Sequence, residues 1–148
     1  MNKRILVAID SSACAQKALA QAIELASAQG ARLCIVNAVD EGPLAQHGLG
    51  LGTYMDIGKI KQEMREASDA LLDQALARAS AAGCQAERLL LESTDRRVAQ
   101  MIADAAKQWD ADLIVAGTHG RRGIERLLVG SVAENLLRLA SSSLLLVR

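Results

Sequence analysis

Phenylalanine does not occur in these 148 residues, and the other aromatic side chains are one tyrosine and one tryptophan, Tyr54 and Trp109. A surface that stacks nucleic-acid bases needs several aromatic faces, so that chemistry is excluded and the core has to be built from Leu, Ile, Val and Ala. An excess of one charge is missing too. Seventeen basic residues balance seventeen acidic ones, whereas a nucleic-acid or anionic membrane surface calls for a basic surplus. No apolar run approaches the length that spans a bilayer, and Asp10 closes the first one, Ile5 to Ile9, far short of a secretory signal. Cys14, Cys34 and Cys84 are an odd number with no CxxC pair, which reads as reduced thiols. No His/Cys cluster has metal-ligand spacing, and neither a Ser-His-Asp set nor a carboxylate pair can be assigned, so no residue is taken as catalytic. The expectation is a cytoplasmic protein with neither nucleic acid nor membrane as its partner.

What is present is an alternation of short apolar runs and helical repeats. Apolar side chains make up 51% of the chain, enough for a sizeable core in one domain spanning residues 1–148. Arg4 to Asp10 reads as a first strand, with Asp10, Ser11 and Ser12 as cap candidates. The helix after it carries Ala15, Ala18, Leu19, Ala22, Ile23 and Ala26 and ends at Gly30. Ala31 to Val39 is the second strand. Residues 41–56, with Gly42, Gly48, Gly50, Gly52 and the single proline, Pro43, read as a flexible loop: either a lid over the carboxyl end of the sheet or a plain surface insertion. His47 and Tyr54 are its only candidates for specific contact.

Ile57, Ile60, Met64, Ala67, Leu71 and Ala75 then mark a long helix. Ala86 to Glu92 is the third strand. Thr94 and Asp95 are expected to cap a helix bearing Val98, Met101, Ile102, Ala105 and Trp109. Residues 112–117 form the fourth strand, Ser131 to Ala140 the last helix and Leu144 to Val147 the last strand. Such alternation gives an α/β fold, a doubly wound five-stranded parallel sheet with helices on both faces.

The chemistry concentrates between Asp112 and Leu139. Leu113, Ile114, Val115 and Ala116 run without polar interruption into Gly117, as a strand covered on both faces does. Gly117, Gly120 and Gly123 follow, with Arg121 and Arg122 between the last two as fork-shaped cations. Arg126 completes the only tight basic cluster of the chain. Gly130 and Ser131 open an amphipathic helix along Val132, Leu136 and Leu139, with Ser131 as N-cap and Glu134 completing a capping box. A helix N-terminus favours anions through its free N–H groups and dipole. Two such features could hold different phosphates of one nucleotide. The alternative is a strand-to-helix connection that uses glycine only for tight turning.

The spacing Gly117-x2-Gly120-x9-Gly130-Ser131 resembles the signature of the universal stress protein family, in its ATP-binding branch. The resemblance spans the chain through ILVAID, DLIVAGTHG, GSVAENLL and the closing LLLVR. It implies a Rossmann-like fold of the adenine nucleotide alpha-hydrolase type with strand order 3-2-1-4-5, which makes Asp10 and Gly117 flank one crevice. It also implies a nucleotide cradle of Gly117, Gly120, Arg121, Gly130, Ser131 and Val132. Asp10 accepts from the nucleoside in that pattern, its plainer role being a helix cap, and Ala38 and Ala116 line the adenine pocket.

ATP or AMP is the implied ligand, with Mg²⁺ able to arrive on the phosphates, and a nucleotide-dependent stress sensor or regulator is the implied function. A slow ATPase or nucleotide hydrolase and a nucleotide-independent dimeric adaptor are the alternatives. A homodimer through Leu144–Val147 is implied as well. Two stretches depart from the pattern: the polar turn Ser93-Thr94-Asp95-Arg96-Arg97, whose arginines could reach a phosphate or face water, and Ser141-Ser142-Ser143 where a proline is usual.

Overall fold

Parallel strands need crossovers, and a right-handed crossover fixes the face on which each helix lies. The computed structural model describes residues 2–42, 56–119 and 130–148. In it, β1 (Arg4–Ala8), α1 (Ala13–Gln29), β2 (Arg32–Asp40), α2 (Ile57–Ala81), β3 (Gln85–Ser93), α3 (Val98–Gln108), β4 (Leu113–Gly117), α4 (Ser131–Leu139) and β5 (Ser143–Val147) follow one another. The strands form one sheet in the order β3-β2-β1-β4-β5, and all pairs are parallel.

From β1 the chain steps outward through β2 to β3, then returns to the other side of β1 for β4 and β5. That reversal puts α1 and α2 on one face and α3 and α4 on the other. The strand side chains alternate to match. Ile5, Val7, Ile9, Leu33, Ile35, Leu113 and Val115 pack under α1 and α2. Leu6, Cys34, Val36, Ile114 and Ala116 pack under α3 and α4. Each fully buried Leu or Ile contributes about 1.5–3 kcal/mol over its exposed state.

The small face of α1 is buried at each of the six positions expected for it, and Gly30 ends the helix in the left-handed region at φ 63°. In α2 the expected stripe drifts. Ala67 is exposed while Ser68, Leu72, Ala75 and Ala79 are buried, because a 3.6-residue period counted from Ile57 falls nearer Ser68 than Ala67. Leu139 is likewise 44% exposed, and α4 holds the sheet through Ala133 and Leu136 instead.

Thr94 and Asp95 do not cap α3. The Ser93 hydroxyl accepts from the N–H groups of Asp95 (3.3 Å) and Arg96 (3.0 Å), which prolongs the turn so that α3 starts at Val98 with Arg97 as N-cap. Trp109 lies at the opposite end of the strands from their carboxyl termini. Its ring carries the Arg4 guanidinium at 4.1 Å, and its Nε1–H donates to Glu87 at 2.9 Å. Cys34 is wholly buried, and its thiol is pushed up to about 12, first by desolvation and then by the Glu87 carboxylate.

Candidate functional site

The strand order reverses between β1 and β4, and ligands of such sheets bind outside the carboxyl ends at that point. There Ala8 is in register with Ala116, so Asp10 and Gly117 leave neighbouring strands side by side. Hydrogen bonds tie the two exits together. The Asp10 Oδ1 accepts from Ser12 N–H at 2.8 Å, a local turn that delivers the chain into α1. The Ser12 hydroxyl accepts from Ala15 N–H at 3.1 Å and donates to the His119 carbonyl at 3.4 Å. Thr118 N–H donates to Val147 (2.8 Å), and its carbonyl accepts from Gly130 N–H at 2.7 Å. Asp10, Gly117, Gly130 and Ser131 are therefore gathered at one edge, although more than a hundred residues separate the first from the others.

The glycines at 117 and 130 are required by close approach. A Cβ on Gly117 would lie 2.9 Å from the Cys14 Cβ and 3.2 Å from the Ala15 nitrogen, so the bare backbone there admits the first turn of α1. A Cβ on Gly130 would stand 3.0 Å from the Thr118 carbonyl oxygen. Gly130, with extended φ −62° and ψ 160°, is the N-cap of α4 and makes no side-chain cap bond. Ser131 is thus the first helical residue rather than the cap, and the expected capping box with Glu134 is replaced by the ordinary helical bond from Glu134 N–H to Gly130 O at 3.0 Å. The reason is local: the bond from Gly130 to Thr118 holds residue 130 extended, so the helix begins one residue later than the serine suggests. The first N–H groups of α4, at Ser131, Val132 and Ala133, precede the first i to i−4 bond and carry the positive end of the helix dipole. Val132 is half-buried against the sheet, which leaves its main chain as the group to offer a ligand.

Ala38 and Ala116 both face the α3/α4 side, and Ala8 stands between them on the same face. Ala8 is level with Ala116 and with Val36, and Ala38 lies two residues beyond Val36 toward the carboxyl end of β2. Ala8 escaped the sequence reading, although an alanine closing a strand of large aliphatics was its visible signal. Thr118, 8% exposed, was missed as well; its Oγ1 lies 3.0 Å from His119 Nδ1 and orients that ring. Of the two arginines in the polar turn after β3, Arg96 is committed to Asp104 at 2.9 Å. Gly120, Arg121, Arg122, Gly123 and Arg126, together with His47, Tyr54 and positions 43–55, lie outside the described residues.

A separate cleft of about 140 Å³ runs between α1 and α2, lined by Gln16, Leu19, Leu71, Gln74, Ala75 and Arg78. It holds none of the candidate residues, and the Arg78 to Gln16 hydrogen bond at 3.4 Å crosses it. The first N–H groups of α4 lie at the carboxyl edge instead. Among the described residues no group of three His, Cys, Asp or Glu side chains could hold a metal, and no helix is long and apolar enough to cross a membrane.

Comparison with known proteins bears on the family and the fold. The family model described as "Universal stress protein family" matches residues 1–148. The chain is 31% identical over 151 aligned residues to universal stress protein YxiE of Bacillus subtilis (strain 168), covering 100% of both. Among solved structures, a universal stress protein family member from Burkholderia pseudomallei superimposes with TM-score 0.78 at 34% identity, covering 98% of this chain and 95% of that one. The universal stress protein of Archaeoglobus fulgidus, described in complex with dAMP, gives TM-score 0.68 at 26% identity, covering 99% and 98%.

Proposed function

This chain belongs to the universal stress protein family, and from that premise we propose that it binds an adenine nucleotide, ATP or AMP, at the carboxyl edge between β1 and β4. The observation that carries the reading is the start of α4. A nine-residue helix opens on Gly130 without a side-chain cap, and the Gly130 N–H bond to Thr118 draws it against the end of β4. Its first N–H groups are a ready anion site, and the small side chains of Ala38 and Ala116 on that face of the sheet would leave room for a planar ring. Occupancy of a related family member by dAMP supports the same ligand class here.

In this reading Asp10 accepts hydrogen bonds from the nucleoside, and Ala38 and Ala116 contact the base. The N–H groups of Ser131 and Val132 hold phosphate together with the loop from Gly117 through Gly120 and Arg121. The Ser131 hydroxyl, exposed and outside any cap, donates to the same phosphate. Mg²⁺ would travel with ATP on phosphate oxygens and water. Residues 1–148 act as a single domain in the cytoplasm, as a nucleotide-dependent regulator in the response to stress. β5 is the outermost strand of the sheet among the described residues, and its outer edge at Leu144–Val147 supports a homodimer.

Calorimetric titration with ATP and with AMP tests the reading. Wild type is expected to release heat with either, and Gly130→Leu to bind each about a hundredfold more weakly; no heat from wild type refutes it. A ligand at about 100 times its Kd also adds roughly 2.7 kcal/mol to stability, so a rise in Tm with nucleotide is the second readout. Nucleotide recovered unaltered after long incubation separates binding from hydrolysis.

A further inference from the structure

Asn37, Ser68 and Thr118 are the buried polar side chains among the described residues. Asn37 is 7% exposed, at the end of the apolar run of β2, and its Nδ2–H donates to the carbonyl of Ile9 at 2.8 Å. Regular pairing would give that carbonyl another partner. Ile9 N–H donates to Val36 O at 2.9 Å, and in a parallel ladder the next rung returns from the residue two further on, Ala38, to the same Ile9 carbonyl. The even-numbered residues of β2 do turn their main chain toward β1, as the 2.9 Å bond from Arg32 N–H to Lys3 O shows at the other end. The side chain of Asn37 donates to the acceptor that the next rung would use, and among the described residues no bond from Ala38 N–H to that carbonyl accompanies it. Pairing between β1 and β2 ends at Ala8 and Val36, while β2 continues along β3 to Asp40 and Ser93.

A buried amide is costly unless it is bonded, and an aliphatic residue would fit the interior of a strand as well. What the amide does that an aliphatic cannot is satisfy the Ile9 carbonyl without drawing Ala38 across to it. We propose that Asn37 is a positioning residue for the base end of the nucleotide crevice. By holding the Ile9 carbonyl it stops β1 and β2 from pairing one rung further, and so keeps the Ala38 main chain facing the gap beside Asp10. The ligand in this inference rests on the nucleotide reading above; the rung does not.

The test uses the full chain, with Asn37→Ala and with Asn37→Asp, which keeps the volume and removes the donor. In ligand-free protein, solvent exchange of the Ala38 amide is expected to slow by about tenfold in either variant as the rung closes. The Kd for AMP is expected to weaken by about tenfold, the effect of one displaced hydrogen-bonding edge, with binding of inorganic tripolyphosphate unchanged. Unchanged AMP affinity in a folded variant, or equal weakening of AMP and tripolyphosphate, overturns the proposal. An Ala38 amide exchanging as slowly in wild type as in the variants overturns it also. A wild type that binds no nucleotide defeats the preceding subsection, while the exchange measurement still decides the role of Asn37.

Discussion

The helices on the two faces of the sheet begin differently. On one face, α1 starts with the Ser12 hydroxyl accepting from Ala15 N–H at 3.1 Å, and α2 with the Asp56 carboxylate accepting from Lys59 N–H at 3.1 Å. On the other, α3 and α4 start on Arg97 and Gly130, neither of which caps with its side chain. A side-chain cap satisfies one of the orphan N–H groups and contributes about 1 kcal/mol to the fold. A helix without one gives up that stability and keeps its donors for something else. Position separates the two uncapped helices. α3 begins beyond the outermost strand, behind a turn where Arg96 is committed to Asp104, whereas α4 begins at the point where strand order reverses. Among the described helices, uncapped donors and a topological switch coincide only at α4.

The largest expected effect comes from spoiling the start of α4. Gly130→Leu places a Cβ 3.0 Å from the Thr118 carbonyl, so the Gly130 to Thr118 bond lengthens and the first N–H groups swing away from the crevice. Nucleotide affinity should fall by about a hundredfold, equivalent to roughly 2.7 kcal/mol, as read by calorimetry. Retained affinity would mean that the donors of α4 are not used.

Gly117→Ala is next. Its Cβ would meet Cys14 at 2.9 Å, backbone included at 3.0 Å, and overpacking of that kind costs about 1–3 kcal/mol. Urea unfolding should register it as a loss of stability whether or not nucleotide is present. A neutral Gly117→Ala would show that α1 can retreat from β4, and the two glycines would then differ less than their surroundings suggest.

Ser12→Ala and Ser131→Ala sharpen the contrast within residues of one type. Ser12 caps α1 and also donates to the His119 carbonyl, so its alanine variant should lose about 1 kcal/mol in urea unfolding. Ser131 is exposed and caps nothing. Its alanine variant should leave stability within about 0.5 kcal/mol and weaken ATP several-fold. Reversed outcomes would place the structural serine at α4 and the ligand serine at α1.

The fold was legible because its strands are aliphatic runs closed by polar or glycine residues, and because the small face of α1 repeats without exception from Ala15 to Ala26. Strand order came from the family resemblance, since local pattern carries no information about which strands are neighbours. The helix starts were the weak point. Ser131, Thr94 and Asp95 are all good capping residues by type, yet each lost to a neighbour through a tertiary or turn bond: Gly130 held extended by Thr118, and Ser93 taking the N–H groups of Asp95 and Arg96. Ala67 gave way to Ser68 because in a helix of 25 residues a stripe drawn from whole-number spacings slips against the true period. At the candidate site, Gly117, Gly130, Ser131 and Val132 stood out by glycine spacing and the helix start, whereas Asp10, Ala38 and Ala116 came from the family resemblance. Ala8, Thr118, Ser12 as a bridge, and Asn37 matter through partners remote in sequence, which no local spacing records.

The smallest effect concerns acid, and it compares the same two faces. On the α2 side, the Arg65 guanidinium grips Glu92 at 2.8 and 3.0 Å and holds its carboxyl below the ordinary value near 4.5. On the α3 side, Gln100 and then Arg96 hold Asp104 below its ordinary value near 3.8. A carboxylate whose pKa is lower in the folded chain binds its proton more readily in the unfolded one. Its contribution to stability is therefore complete above the unfolded value and is lost as pH falls through the folded one. Wild type should lose Tm on acidification below about pH 4.5, beginning with Glu92 because its unfolded value is the higher. Glu92→Gln should lower Tm at neutral pH by less than about 2 °C, since the pair is largely solvated, and should flatten the first part of the acid limb. Asp104→Asn should flatten the later part and leave the first intact. Identical acid limbs in both variants and wild type would show that these pairs are solvated ornaments of the surface, and that α2 and α3 are held to the sheet by their apolar faces alone.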